Sequence, residues 1–211
     1  MPVSFATRRE AGAQLAEALS RFRGDDVVVL GIPRGGVVVG AEVARALGAP
    51  LDVVIPRKVG APGNPELGLG AVAPGVRVLD ERLIRDLRVS RDYLEREVAA
   101  QEQEIERRAE AYRGGRGPVE LSGKTAIVVD DGVATGGTAV AAARWARAAG
   151  ASKVVLAIPV APPQAVGPLS GEADELVILA TPEPFYAVGQ WYERFDQVED
   201  DEVVRLLSDA G

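Results

Sequence analysis

The chain has 211 residues, of which 47% are hydrophobic, so it can bury one substantial core, and we expect a single domain over residues 1–211. Its net charge of −7 argues against a nucleic-acid-binding face, which needs clustered excess lysine and arginine. It contains no cysteine and no histidine, which excludes disulfides, thiolate or imidazole metal sites and any Ser-His-Asp triad. Chemistry must rest on carboxylates, cations and the backbone, with or without a bound metal.

The N-terminus lacks a charged-then-apolar signal pattern, and no apolar run is long enough to cross a bilayer. We therefore expect a cytoplasmic protein that acts on a small molecule and has no membrane partner.

Five short apolar runs predict buried parallel strands, at residues 27–32, 51–55, 124–129, 153–159 and 175–180. Helical patterns lie between most of them, at 37–47, at 137–149 and, more weakly, after Pro162. This alternation predicts an α/β fold with a doubly wound, mainly parallel five-stranded sheet. Right-handed crossovers bring the carboxyl ends of the strands to one edge, so the loops after Ile32, Ile55 and Val129 can share one site.

The loop after the first predicted strand carries Arg34, Gly35 and Gly36. The glycines permit unusual backbone angles and close approach, and Arg34 supplies a permanent cation with several donors. We interpret this loop as an anion site, although taken alone it could be an ordinary strand-to-helix turn.

The second predicted strand is followed by Arg57 and Lys58 and then by a Gly/Pro-rich run at 59–75. Two adjacent cations at the carboxyl end of a strand are poorly placed for a core and well placed to neutralise an anion. The alternative is a solvated charged loop.

The interval 80–116 is unusually charged, with ten acidic residues and nine arginines among its 37 residues. A sparse helical spacing is kept by Leu94, Val98, Ile105 and Tyr112. Ser90 is a plausible N-cap, and Gly114 with Gly115 is a plausible stop. We predict a helical excursion that serves either as a lid over the site or as a solvated helix used in packing or self-association.

The run VVDDGVATGGT at 128–138 lies between a predicted strand and a helix. A glycine-rich turn at a helix N-terminus lets backbone amides converge on an oxyanion, and Thr135 and Thr138 add hydroxyl donors. Asp130 and Asp131 would repel a bare anion unless they face sugar hydroxyls or a metal, so the predicted ligand is a sugar phosphate. A P-loop is excluded because Gly137 precedes Thr138 where a lysine is required, and the dinucleotide fingerprint is absent. The alternative is that the Asp and Thr side chains only cap the helix.

This run resembles the ribose-phosphate signature of the type I phosphoribosyltransferases, which use 5-phosphoribosyl 1-pyrophosphate (PRPP) with Mg²⁺. The resemblance implies that Asp130 and Asp131 hold the ribose hydroxyls and, with the donor, the metal. It also implies that PRPP is bound by these two Asp residues together with the loop that follows them, which consists of Gly132, Val133, Ala134, Thr135, Gly136, Gly137 and Thr138. The pyrophosphate would be bound by Arg34, Gly35, Gly36, Arg57 and Lys58.

The adenine enzymes resemble this chain more closely than other common members do, because they have a small residue at the position of Ala134 and two Asp residues at the start of the motif. Arg57 and Lys58 also resemble their Arg-Lys-x-Gly stretch. The 6-oxopurine members have a proton-accepting Asp where this chain has Ala134, which argues against chemistry of that type. The run at 57–72 and the aromatic tail resemble a family of bacterial phosphoribosyltransferases with undefined acceptors.

The C-terminal segment 181–211 contains half of the chain's ten aromatic residues, namely Phe185, Tyr186, Trp191, Tyr192 and Phe195. We predict a small hood with a terminal helix. Phe185, Tyr186 and Trp191 are candidates for stacking on the acceptor base. A satellite core beneath the terminal helix explains the same cluster equally well.

These patterns predict transfer of phosphoribose from PRPP to a nitrogen acceptor, with Arg57, Lys58 and Asp131 as the catalytic residues. Glu66 is a weaker candidate for a carboxylate near the base. The main alternative is a non-catalytic module that binds PRPP or a nucleotide, and a sugar-phosphate transferase unrelated to PRPP is a third. We leave a homodimer open.

Overall fold

The computed structural model describes residues 4–210, so the predicted domain boundaries at 1 and 211 lie outside the described residues. A five-stranded sheet in the order β2-β1-β6-β7-β8 forms the centre, and every neighbouring pair is parallel. Its strands are β1 (Val27–Gly31), β2 (Leu51–Val53), β6 (Thr125–Val129), β7 (Lys153–Val160) and β8 (Glu175–Ala180). The predicted parallel α/β sheet is confirmed.

Helices cover both faces of this sheet, and successive buried side chains of a strand point to opposite faces. Val27 and Val29 belong to one core with α1 (Arg8–Ala18), α2 (Gly35–Leu47), α4 (Arg91–Arg113) and α7 (Asp200–Asp209). Val28 and Leu30 belong to the opposite core with α5 (Gly137–Ala148) and α6 (Pro163–Ser170). The period of two along each strand thus fixes which helices share a layer.

A second sheet of three antiparallel strands follows β2, formed by β3 (Arg57–Ala61), β4 (Asn64–Ala73) and β5 (Val76–Leu79). The sequence patterns did not predict these three strands, and the Gly/Pro pairs of this region make the turns between them. Each turn has the sequence Ala-Pro-Gly, and Gly63 and Gly75 have φ of 72° and 70°. Proline followed by a glycine of positive φ is the signature of a tight turn, so the repeated Ala-Pro-Gly was the signal for two hairpins.

The structure places two helices in the interval 80–116, α3 (Glu81–Asp86) and α4. As predicted, α4 begins after Ser90, whose side chain accepts a hydrogen bond from the amide of Tyr93, and it ends at Gly114 in a left-handed conformation. In the last turn of α4, Arg113 pairs with the buried Asp52 of β2 at 2.9 Å. This contact fixes the end of the helix against the central sheet.

The C-terminal segment is joined to the N-terminal segment. The amide of Phe5 donates to the carbonyl of Trp191, and the amide of Glu193 donates to the carbonyl of Phe5. The first helix, α1, was not predicted. Its signal was a capping box, since Thr7 accepts a bond from the amide of Glu10, whose carboxylate accepts one from the amide of Ala6.

Candidate functional site

Two loops meet at the carboxyl ends of β1 and β6. The amide of Ile32 donates to the carbonyl of Val129 at 2.8 Å, which joins the loops at their bases. A Cβ atom added to Gly35 would lie 1.8 Å from Oδ2 of Asp131, and one added to Gly36 would lie 2.6 Å from the carbonyl oxygen of Val129. Both positions therefore require glycine because of close approach rather than because of positive φ. Two of the three loops predicted to share one site, those after Ile32 and Val129, are thus in contact, and the part of the third loop stays a prediction.

The two adjacent carboxylates have different surroundings. Asp131 accepts a 2.6 Å hydrogen bond from Nε of Arg8, and its carbonyl accepts one from the hydroxyl of Tyr192. Oδ1 of Asp130 accepts the amide of Asp131 at 2.9 Å. Sequence reasoning missed Arg8, which lies 123 positions before its partner, and no local pattern marks it.

Both carboxylates are difficult to ionise in this position. Burial raises the pKa of Asp130 well above its ordinary value, and the neighbouring charge of Asp131 raises it further. Burial also raises the pKa of Asp131, although the hydrogen bond from Arg8 opposes that shift. Carboxylates held in such an environment gain from ligands that donate hydrogen bonds or supply positive charge.

The loop at 132–138 leads into α5, whose first amides have no side-chain cap among residues 4–210. Gly136 is the N-cap residue of that helix, with φ of 90°. The alternative that Asp and Thr side chains cap the helix is therefore wrong. The loop is anchored by the amide of Val133, which donates to the carbonyl of Val160 at 3.0 Å. Its arrangement leaves consecutive amide groups at a helix N-terminus, where an oxyanion is stabilised.

Arg57 and Lys58 lie on opposite faces of β3, as successive residues of a strand must. Nε of Arg57 donates to Oε1 of Gln101 in α4 at 3.0 Å. Nζ of Lys58 lies 3.2 Å from Oε2 of Glu66, a side chain that is 93% exposed. The structure does not bring the two cations to one point, and their proposed roles stay predictions.

Arg57 is the less compensated of these cations. Its partner Gln101 is neutral, and within residues 4–210 it forms no salt bridge. Burial lowers the pKa of Arg57, and the positive charge of Arg108 lowers it further. A half-buried guanidinium without a carboxylate partner favours an incoming anion.

Arg34 points from the loop after β1 toward the start of α7. Its Nη1 lies 3.7 Å from Oδ1 of Asp200 and 3.9 Å from Oε2 of Glu199, and its side chain is partly exposed. These are loose contacts, so Arg34 has capacity to bind another anion.

The aromatic cluster divides between core and surface. Trp191 and Tyr192 are buried in a small core with Phe5, and the rings of Phe185 and Trp191 lie 6.0 Å apart. Tyr186 is 82% exposed. Trp191 therefore packs in a small core, but this core lies against Phe5, Val160 and Ala180 and not beneath the terminal helix as expected. Base stacking by Phe185 and Tyr186 stays a prediction. Nε1 of Trp191 is buried without a hydrogen-bond partner in the described part of the chain.

Residues 4–210 contain no group of three or more acidic, histidine or cysteine side chains arranged to hold a metal. No helix among these residues is long and apolar enough to cross a membrane.

Comparison with known proteins shows the family of the chain. A family model described as phosphoribosyl transferase domain matches residues 6–183, which is most of the chain. The chain therefore belongs to the phosphoribosyl transferase family.

Solved structures share the fold. The structure of the protein TT1426 from Thermus thermophilus has a TM-score of 0.83 and 48% sequence identity, covering 98% of this chain and 99% of that one. A hypothetical protein from Neisseria gonorrhoeae, solved with bound ppGpp, has a TM-score of 0.54 and 16% identity, covering 98% of this chain and 96% of that one. The second similarity, at that identity, concerns the fold alone.

Two curated relatives come from Mycobacterium tuberculosis strains CDC 1551 / Oshkosh and ATCC 25618 / H37Rv, and each bears the name "Putative phosphoribosyl transferase". Each is 50% identical over 207 residues, which is 98% of this chain but 47% of the relative. The chain thus spans about half the length of these relatives.

Proposed function

We propose that this protein transfers 5-phosphoribose from PRPP to a nitrogen acceptor and releases pyrophosphate. The observation that carries the proposal is the contact of the two loops, in which Gly35 and Gly36 lie directly against Asp131 and Asp130. This contact sets a loop suited to a diphosphate beside carboxylates suited to a ribose and an uncapped helix N-terminus suited to a monoester.

In this proposal the side chains position the donor and balance its charge. Asp130 and Asp131 accept hydrogen bonds from the ribose hydroxyls, and the amides at 132–138 with Thr135 and Thr138 bind the 5-phosphate. Arg34 and Arg57 bind the diphosphate, with Lys58 contributing at longer range. An acceptor nitrogen forms a bond to the anomeric carbon as the bond to pyrophosphate breaks, the bonding electrons leave on the pyrophosphate oxygen, and the proton of the acceptor passes to water. Positive charge on the ring then faces carboxylates, and negative charge on the leaving group faces arginines.

A magnesium ion is compatible with this arrangement as a companion of the donor. The bonds from Arg8 and from the amide of Asp131 use one oxygen of each carboxyl group, Oδ2 of Asp131 and Oδ1 of Asp130, and carboxylate oxygens are ligands that Mg²⁺ prefers. Two carboxylates alone do not form a dedicated cage, so the donor's phosphates would supply the other ligands. When bound, the ion would neutralise charge on the leaving group.

The principal alternative is a module of the same fold that binds PRPP or a nucleotide without turnover. It is favoured by the lack of a placed general base, since Ala134 occupies the position where the 6-oxopurine enzymes have an Asp and Glu66 is engaged with Lys58 on the surface. Because the Neisseria protein was solved with ppGpp, that nucleotide belongs among the ligands to be tested.

Pyrophosphate release separates the two functions. The protein is mixed with Mg-PRPP and a panel of purine, pyrimidine and other nitrogen acceptors, and PRPP and ppGpp binding are measured by calorimetry. Release that depends on one acceptor supports transfer. Binding of PRPP or ppGpp without release for any acceptor supports the regulatory alternative, and absence of binding to both ligands contradicts both functions.

A matched pair of variants tests the phosphate loop. Thr138→Val removes a hydroxyl in the first turn of α5, and Thr125→Val makes the same change at the opposite end of β6. Loss of one hydrogen bond to a charged group should weaken binding of ribose 5-phosphate about tenfold for Thr138→Val. Thr125→Val should bind it as the unmodified protein does. Equal affinities in the two variants would place the phosphate elsewhere.

A further inference from the structure

One face of α4 carries a polar stripe that lies between Arg57 of β3 and Asp200 of α7. Gln101, Glu104, Arg108 and Tyr112 follow one another at intervals of three or four residues, so they share one side of the helix. Val98 and Ile105 on the same side are buried in the core, which holds this face against the rest of the protein. The polar stripe is therefore fixed in place rather than free in solvent.

One end of the polar stripe contacts Arg57, and the other end is linked to Arg34 through Asp200; these are two of the arginines assigned above to the diphosphate. At one end, Oε1 of Gln101 accepts the 3.0 Å bond from Arg57. At the other end, the hydroxyl of Tyr112 donates to Oδ1 of Asp200 at 2.7 Å, and that oxygen lies 3.7 Å from Nη1 of Arg34. Arg57 lies in β3 and Arg34 in the loop after β1, and the polar stripe of α4 runs from Arg57 to the Asp200 that faces Arg34.

Arg108 is the cation in the middle of the polar stripe. Its Nε donates to Oε1 of Glu104 at 2.6 Å. Glu104 also accepts two hydrogen bonds from Arg107, at 2.8 and 2.9 Å, so one carboxylate serves two guanidiniums. Arg57 is paired only to an amide, and Arg108 shares its carboxylate with Arg107, so neither of these two guanidiniums has a carboxylate of its own.

We propose that Arg108 binds the diphosphate of the phosphoribosyl donor, between Arg57 and Arg34, so that α4 supplies a wall of the diphosphate subsite. The inference rests on the proposed function and adds a residue to it. A diphosphate carries several charged oxygens, and a guanidinium fork matches two of them at once. Glu104 holds Arg108 in position.

Arg107 provides a control because it differs from Arg108 mainly in direction. Both arginines bond to Glu104, but the side chain of Arg107 is 63% exposed and that of Arg108 is 25% exposed. Arg107→Gln therefore removes one charge and one partner of Glu104 without changing the side of α4 that faces the site.

The experiment measures three ligands by calorimetry with Mg²⁺ present: PRPP, inorganic pyrophosphate and ribose 5-phosphate. Arg108→Gln should weaken PRPP and pyrophosphate about tenfold, since a charge-assisted hydrogen bond is lost, and should leave ribose 5-phosphate unchanged. Arg107→Gln should change all three by less than about twofold. Thermal unfolding of both variants checks that they are folded.

Each other outcome is decisive. Unchanged pyrophosphate affinity in Arg108→Gln, while the unmodified protein binds PRPP, overturns this inference and leaves the proposed function in place. Equal weakening of all three ligands assigns Arg108 a structural role and also overturns it, as does an equal effect of Arg107→Gln. If the unmodified protein binds neither PRPP nor pyrophosphate, the proposed function fails and this inference fails with it.

Discussion

The two sides of the candidate site carry opposite charge and are built in different ways. On the acidic side, Asp130 and Asp131 are adjacent in sequence and lie beside one glycine loop. On the cationic side, Arg57 and Arg108 come from a strand and a helix that are far apart along the chain. Like charges are close together on each side, since Asp131 raises the pKa of Asp130 and Arg108 lowers that of Arg57.

Like charges are thus brought together in two ways, by residues adjacent in the sequence on the acidic side and by the packing of distant elements on the cationic side. Both sides hold charge that is poorly compensated within residues 4–210, which disfavours the folded state and favours a ligand of complementary charge. The acidic side is set by a short segment, so substitutions there act directly on the ligand. The cationic side depends on how α4 packs, so it can be altered from a distance.

The largest expected effect comes from releasing α4 at its end. Arg113→Gln breaks the 2.9 Å pair with Asp52 and leaves that buried carboxylate with only its backbone donors, the amides of Val53 and Val119. Removing one partner of a buried pair typically costs about 3 kcal/mol, measurable by denaturant unfolding. Pyrophosphate affinity should fall as α4 loosens, whereas ribose 5-phosphate affinity should be kept.

The control is Arg147→Gln, which breaks an exposed pair with Asp174 and should cost less than about 1 kcal/mol of unfolding free energy. An equal cost in both variants would show that Asp52 does not anchor the helix.

A smaller effect is expected where the glycine loop meets the acidic side. In Gly35→Ala the added methyl group would overlap Oδ2 of Asp131 and approach Nε of Arg8 within 2.7 Å. Forcing these groups apart should destabilise the protein by about 2 kcal/mol and weaken both PRPP and pyrophosphate. Gly167→Ala, in α6 with nothing within 4 Å of the new methyl group, should have unchanged or slightly higher stability. Normal stability in Gly35→Ala would mean that the loops are not in contact.

The acidic side and the parallel sheet were predictable because their signals are local. Apolar runs at 27–32 and 124–129 mark the strands whatever the rest of the chain does, and the order of Asp130, Asp131 and the glycines determines the loop. The N-terminal capping box and the two Ala-Pro-Gly turns were local signals as well, and the elements that they mark were missed.

The cationic side could not be predicted in full, because it depends on how distant elements pack. Arg57 and Lys58 are neighbours in sequence, yet a strand directs them to opposite faces. The charged interval was correctly predicted as helical, but only packing shows that Gln101 meets Arg57 and that Tyr112 meets Asp200. The contact of Arg8 with Asp131 has the same origin.

Asp130→Asn should stabilise the protein while weakening PRPP binding. The pKa of Asp130 is raised in the folded state, so its contribution to stability is complete at acidic pH and is lost as the pH rises through the folded pKa. At neutral pH the neutral amide should therefore raise the unfolding free energy on the order of 1 kcal/mol. This gain should shrink as the pH falls through the folded pKa, and thermal unfolding across pH measures it.

Asp174→Asn is the control of opposite sign. The pKa of Asp174 is lowered by its hydrogen bond from the amide of Val154 and by Arg147, so its contribution is present above the unfolded pKa and is lost on acidification. Asp174→Asn should lose stability at neutral pH and keep its PRPP affinity. If Asp130→Asn also lost stability at neutral pH, the acidic side would not be strained by its own charge.

The smallest effect on stability is expected on the cationic side, in the pair Arg57→Gln and Lys58→Gln. Arg57 has a neutral partner and is repelled by Arg108, so Arg57→Gln should change the unfolding free energy by less than about 0.5 kcal/mol. Lys58→Gln removes an exposed ion pair and should change the unfolding free energy as little.

The two variants should differ in function, because Arg57 faces the polar stripe of α4 and Lys58 does not. Turnover with the acceptor identified by the panel should fall more for Arg57→Gln than for Lys58→Gln, and more than donor binding falls, if the guanidinium acts on the departing pyrophosphate. Equal losses in the two variants would mean that the direction of each side chain from β3 is irrelevant to the diphosphate, and the cationic side would then act only through its overall charge.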